Sequence, residues 1–234
     1  VAAIAGDLDH DAVVAGLEAR FTGPSGGSTP DRSAPSGTVI PLQVTRRGTE
    51  QTQLVLGMRS VDRFDPRRYP LAILNHVLGG GLSSRLFQEI RERRGLAYSV
   101  WSDRVTYYDA GVLSVGMGTS PDHVTEVLKI VVGELESLGA DGITERELAV
   151  AKGNLRAESI LACEDSGARM GRIGAGLLLH GEVLTIDEVV ARVEAVTLDE
   201  VRAVAAELVA APRTLSVVGP FDASDFDAGS LGVG

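Results

Sequence analysis

Apolar and polar positions alternate over residues 53–58, where Leu54, Leu56 and Met58 share one face. That two-residue period is the mark of a half-buried strand. Residues 100–105 and 111–117 read as two more strands, adjacent and antiparallel, joined around Tyr107, Tyr108 and Asp109. Elsewhere the period is helical. Asp65 and Pro66 offer a cap and a first-turn proline for a helix running to Leu78. Ser120 and Pro121 open a helix whose face is Val124, Val127, Leu128, Val131 and Leu135, and the glycines between 139 and 142 break it. Thr144 with Glu147, Thr185 with Glu188 and Thr197 with Glu200 have the spacing of reciprocal caps and mark three further helix starts. The first of these helices should continue past Ala157. Residues 168–179 are interrupted by glycine, which weakens their helical pattern. Residues 213–218 close with a strand. Strands, then a run of helices, then a last strand predict an α+β, two-layer domain rather than a doubly wound parallel one.

The two ends of the chain echo each other. Residues 1–9 and 214–222 are both apolar runs passing into glycine and then aspartate, with Gly6 matching Gly219 and Asp9 matching Asp222. Such an echo suggests internal duplication. Residues 1–21 then read as the closing strand and helix of a preceding domain, with Asp9 as cap and Val13, Val14, Leu17 and Phe21 as the stripe. Residues 22–38 are rich in Gly, Pro and Ser and read as a linker. The second domain spans residues 39–221, and residues 222–234 are expected to be a loose tail.

Composition narrows the function. The formal net charge of −10 argues against a nucleic-acid partner, which needs a cationic surface. Acidity serves solubility, and by long-range attraction it would also favour basic peptides. No apolar run is long enough to suggest a membrane partner. The single Cys163 excludes an internal disulfide and points to a reducing, cytoplasmic setting. It falls in a helical pattern with Ile160, Leu161 and Ala162, as a buried structural thiol would.

Metal chemistry finds no support. His10, His76, His123 and His180 are far apart, and none has a spacing that aims two imidazoles at one ion, so each reads as a surface or lightly buried histidine. No metal site and no cofactor are expected in this chain. Gly79, Gly80 and Gly81, followed by Ser83 and Ser84, could cradle an anion but lack the P-loop pattern. Glu89 and Glu92 read as solvated helix charge pairing with neighbouring arginines.

Residues 78–100, LGGGLSSRLFQEIRERRGLAYSV, are the most informative stretch. Ser83 or Ser84 could cap a helix with Leu86, Phe87 and Ile90 on its apolar face. Gly95, after Arg91, Arg93 and Arg94, is where a left-handed C-terminal glycine belongs. A strand begins immediately after it. Arg91 and Tyr98 lie seven positions apart across this helix end and strand start. From the residues alone, Arg91 would solvate the helix end and Tyr98 would pack in the strand.

The block resembles the C-terminal half of the pitrilysin/insulinase (M16) zinc metallopeptidases, in the processing-peptidase-like branch, and the likeness extends over residues 43–221. The resemblance implies a mostly antiparallel sheet with helices packed on one face. It implies that Arg91 and Tyr98 are catalytic residues that reach the substrate from this half. It also implies that Gly79, Gly80, Gly81, Ser83 and Ser84 line the peptide chamber. Zinc in that family is bound by H-x-x-E-H in the other half, and the motif is absent here. On this reading residues 1–21 end a truncated N-terminal peptidase half. The partners implied are that zinc-binding half, peptide substrates and a second copy in a homodimer. The alternative is a metal-free structural or binding subunit of the same family, like the core proteins of respiratory complexes.

Overall fold

The computed structural model describes residues 1–23, 26–27, 33, 39–227, 229 and 232. Most of the expected linker at 22–38 lies outside the described residues, as does part of the expected tail. The domain is built on five strands: β1 (Leu42–Arg46), β2 (Thr52–Ser60), β3 (Ala97–Thr106), β4 (Gly111–Thr119) and β5 (Arg213–Gly219). Their spatial order is β1-β5-β2-β4-β3. Only β1 and β5 run parallel, and the other pairings are antiparallel. The sheet is therefore mostly antiparallel, as the resemblance implied. β1 has no counterpart among the expected strands.

Alternation decides the faces. Leu54, Leu56 and Met58 of β2 are buried, with Leu113, Val115 and Met117 of β4 and Leu215 and Val217 of β5. Each such side chain contributes about 2 kcal/mol through the apolar surface it removes from water. They meet a helical layer of α2 (Arg68–Leu78), α3 (Val124–Asp141) and α7 (Leu198–Ala210), with α7 packed between the other two. The expected stripe of α3 is buried throughout. Gly142, at φ 73°, is the residue that ends this helix, whereas Gly139 lies inside it. The other face of the sheet is open. Trp101 lies there across Gly116, with Val55 and Val218 also partly exposed.

The three reciprocal caps form. Thr144, Thr185 and Thr197 each accept from the backbone of the glutamate three residues on, and each glutamate reaches back. They start α4 (Glu145–Leu161), α6 (Ile186–Glu194) and α7. Between α4 and α6, the glycine-interrupted stretch forms α5 (Ser166–Ala175) and a π-helical turn, Gly176–His180.

Several expectations are corrected. The Asp65 carboxylate accepts from both the backbone N–H of Arg67 (2.8 Å) and its guanidinium (Nη2–Oδ2 2.6 Å), so Asp65 and Pro66 make a turn and α2 starts two residues later. Neither Ser83 nor Ser84 caps a helix with its side chain. Cys163 sits just beyond α4 and is half-buried. His76 is buried, its Nε2 3.0 Å from Asn154 Nδ2. Residues 1–5 form no strand, although α1 (His10–Arg20) begins where Asp9 accepts from Ala12 N–H at 2.8 Å. The α1 stripe buries nothing fully, and Phe21 is 78% exposed. Past Phe221 the chain stays packed at first: Asp222 caps a short turn, and the Phe226 ring meets Phe221 edge-on at 5.5 Å.

Candidate functional site

Three consecutive glycines bring the chain from α2 to the site because a side chain at any of them would collide. A Cβ on Gly79 would lie 2.5 Å from the Ser102 nitrogen, and one on Gly80 would lie 2.8 Å from the His76 Cα. A Cβ on Gly81 would press on the His76 ring, 3.3 Å from Cε1. The Gly79 carbonyl accepts from Ser102 N–H (3.1 Å), which ties this loop to β3. Ser83 is exposed at the surface. Ser84 is buried, and its hydroxyl has no partner among the described residues. It supports the loop from within and does not face the surface.

The next segment, Phe87–Arg93, winds as a π-helix. It closes where Gly95, at φ +63°, bonds the Arg91 carbonyl (3.2 Å) and Leu96 bonds that of Ile90 (2.9 Å). The chain then enters β3 through a register shift between Ala97 and Ser99, and Tyr98 is the extra residue. Such a bulge re-aims a side chain. Tyr98 is 78% exposed while Ala97 and Val100 on either side are buried.

The two elements bring the predicted pair together. The Arg91 guanidinium carbon lies 5.3 Å from the Tyr98 ring centroid and 5.0 Å from that of Phe87. Two exposed cation–π contacts contribute about 0.5–1 kcal/mol each. Phe87 is the member of this group that sequence reasoning assigned only to the apolar face. Its spacing of four from Arg91 was the available signal.

Among the neighbouring charges Glu89 is committed elsewhere, while Glu92 makes no ion pair among the described residues. Glu89 takes both Arg93 (2.8 Å) and Arg94 (3.3 Å). Hydrogen bonds from Arg94 and, against a small burial effect, from Arg93 hold its carboxyl below the usual range. Arg91 has no carboxylate partner among the described residues. At the start of the segment, Arg85 donates Nε to Glu147 (2.6 Å), Nη2 to the same carboxylate (2.9 Å) and Nη2 to the Gly142 carbonyl (3.1 Å). This bidentate anchor fixes the segment to the α3–α4 connection.

The arrangement presents a hydroxyl donor and a guanidinium, side by side and open to solvent, the hydroxyl on a strand that the glycine loop joins at Ser102. It can hold and polarise a carbonyl oxygen. It holds no metal: among the described residues no group of three or more His, Cys, Asp or Glu could bind one. No helix among them is long and apolar enough to cross a membrane.

Comparison with known proteins adds to this geometry. The family described as peptidase M16 inactive domain matches residues 1–155. An uncharacterized zinc protease of Streptomyces coelicolor is 41% identical over 233 residues, covering 94% of this chain and 50% of that protein. Among solved structures, a peptidase M16 inactive domain from Pseudomonas fluorescens superposes with a TM-score of 0.81 at 24% identity, covering 93% of this chain and 52% of that one. A chain of complex III2 from Candida albicans gives 0.80 at 18% identity, covering 97% and 56%. At those identities the two structures show the fold alone. The chain spans about half the length of the curated relatives it matches.

Proposed function

Because the chain belongs to the peptidase M16 family, matching its inactive domain, we propose that it is the half of a zinc metalloendopeptidase that binds no zinc and supplies Arg91 and Tyr98 to the substrate. The observation that carries this reading is the Arg91–Tyr98 stack. The charge is gripped by two rings, left without a counter-ion, and set beside a tyrosine that a bulge turns into solvent.

A peptide carbonyl gains negative charge as its bond is attacked, and a donor already in place lowers that barrier. The Tyr98 hydroxyl is such a donor. The Arg91 guanidinium, set over the Phe87 and Tyr98 rings and without a hydrogen bond among the described residues, keeps its N–H groups free to hold a second carbonyl or to steady Tyr98. Gly79, Gly80, Gly81 and Ser83 form the adjoining wall, and Ser84 supports it from below. The metal, when bound, supplies the Lewis acid and activated water of such an enzyme, and no group of three or more His, Cys, Asp or Glu among the described residues could hold it. A separate zinc-binding half is therefore the partner in this reading, and peptides are the substrate. The open sheet face with Trp101, Val55 and Val218 is suited to being covered by that half or by a second copy. The single Cys163 suits a cytoplasmic setting.

The test compares the chain alone with the chain joined to its zinc-binding half. Zinc content after dialysis and turnover of a quenched peptide are the readouts. The chain alone should show neither, and the joined protein should show chelator-sensitive cleavage. A joined protein that folds without zinc and cleaves nothing would favour the metal-free subunit instead.

A further inference from the structure

At the other end of β3 from Tyr98, about 20 Å along the strand, the helix-facing side of the sheet changes character. Val100 and Ser102 are buried there, but the next such position is Arg104. Above it, a cavity of about 380 Å³ opens between α2, the end of α4, the π-helical turn and α6. The volume falls within the range of about 300–1,000 Å³ typical of small-molecule sites. Ala72, Leu155, Val189 and Val193 give it apolar walls, while Arg68, Arg104 and Arg172 line it with positive charge. A second hollow shares Arg68 and His180 with it and adds Arg192.

Arg68, Arg104 and Arg172 have no carboxylate partner among the described residues, while Glu182, which lines both hollows, pairs with Arg192 at 3.8 Å. The remaining bonds go to neutral acceptors. Arg68 bonds the Arg63 carbonyl and the Tyr69 hydroxyl (3.0 Å), Arg172 bonds the Leu184 carbonyl, and Arg192 bonds the Tyr69 hydroxyl (3.1 Å). Arg172 Nε is buried without an acceptor, and Arg104 has neither a hydrogen bond nor an ion pair among the described residues. Burial pushes the Arg104 guanidinium down from its usual value, with Asp103 opposing and Arg68 adding to the effect. Burial, then Arg68 and Arg63, push His180 down against Glu182, which leaves its Nδ1, 3.0 Å from Arg68, able to accept. A chain with a net charge of −10 has thus set three arginines, Arg68, Arg104 and Arg172, around one cavity whose lining holds a single carboxylate, Glu182. Buried charge without a partner is destabilising, and an anion would relieve it.

We propose that this cavity binds a small ligand with an oxyanion head and a short apolar body. Arg104 and Arg172 take the head through planar forks that suit carboxylate or phosphate. Leu155, Val189 and Val193 take the body. The site lies on the helical side of the sheet and does not depend on the peptidase reading.

Titration calorimetry of the chain with octanoate, octyl phosphate, inorganic phosphate and octylamine tests it. Octanoate or octyl phosphate should bind one to one, more weakly as salt rises, and whichever is tighter identifies the head group. Inorganic phosphate should bind at least tenfold more weakly, and octylamine not at all. Arg104→Gln and Arg172→Gln should each weaken binding at least tenfold. Arg104→Gln should leave the ligand-free thermal midpoint unchanged or raise it, an outcome that a purely structural arginine would not give. Failure of both octyl anions to bind, or equal binding by both variants, would overturn the proposal.

Discussion

Arg85 and Arg91 stand at opposite ends of one helical segment and are held in opposite ways. Arg85 is mostly buried and gives its donors to the Glu147 carboxylate and the Gly142 carbonyl, with Glu134 3.8 Å away. Arg91 is exposed, with its guanidinium carbon 5.0 and 5.3 Å from two ring centroids and no carboxylate. The first arginine has spent its hydrogen bonds on the fold, whereas the second has kept them. A residue that is to act on another molecule must be held without being satisfied, and aromatic faces do this because they fix a guanidinium while leaving its N–H edge open.

Substitutions should separate the two ends on stability. The largest loss is expected from Arg85→Met, which leaves the partly buried Glu147 carboxylate with only its cap bonds to Thr144. About 3 kcal/mol should disappear from ΔG in urea unfolding. A loss below about 1 kcal/mol, the range of an exposed pair, would remove the contrast.

Acid should sharpen the same contrast. Burial raises Glu147, but hydrogen bonds from Arg85 and Thr144 and the Arg85 charge outweigh it, so its folded pKa lies below the usual value. Its contribution is therefore present above the unfolded value of about 4.3 and is lost as pH falls through the lowered folded value. Glu134 has the opposite sign: burial raises it against the Arg85 charge, so the folded state takes up its proton first and gains stability on the way down. Thermal midpoints from pH 7 to 3 should show the gap between the parent chain and Arg85→Met narrowing on the acid side. A constant gap would contradict the assignment.

The smallest effects belong to the other end. Arg91→Ala, which removes both ring contacts, should cost no more than about 2 kcal/mol in the same urea experiment, and Tyr98→Phe should stay within about 0.5 kcal/mol. A larger loss in either would make the stack a structural device.

Local chemistry made much of the fold legible. The three Thr–Glu caps, the α3 stripe and Gly95 each depend on residues within a turn of one another, and each forms as its spacing implies. Competition between local partners is harder to read, as Asp65 shows, since its carboxylate accepts from both the backbone N–H and the guanidinium of Arg67 and holds a turn ahead of α2. β1 is specified mainly by β5, which pairs with it from more than 170 residues away (Leu42 with Leu215), so its own five residues carry little signal. The candidate site was half legible. Arg91 and Tyr98 stood out through the wording of residues 78–100, but their contact needs a π-helical turn and a bulge that no spacing rule anticipates. The arginine cavity was illegible, because Arg68, Arg104, Arg172 and Arg192 meet only in the folded chain.

The central claim is that Tyr98 and Arg91 act on a substrate rather than on the fold. In the chain joined to its zinc-binding half, Tyr98→Phe removes one hydroxyl and keeps the ring that stacks on Arg91. Peptide-cleavage kinetics should show kcat/KM falling by about 10²–10³, with zinc content and thermal midpoint unchanged. Parental kcat/KM in Tyr98→Phe, with the same zinc content, would contradict the account and return the pair to the surface chemistry of a helix end.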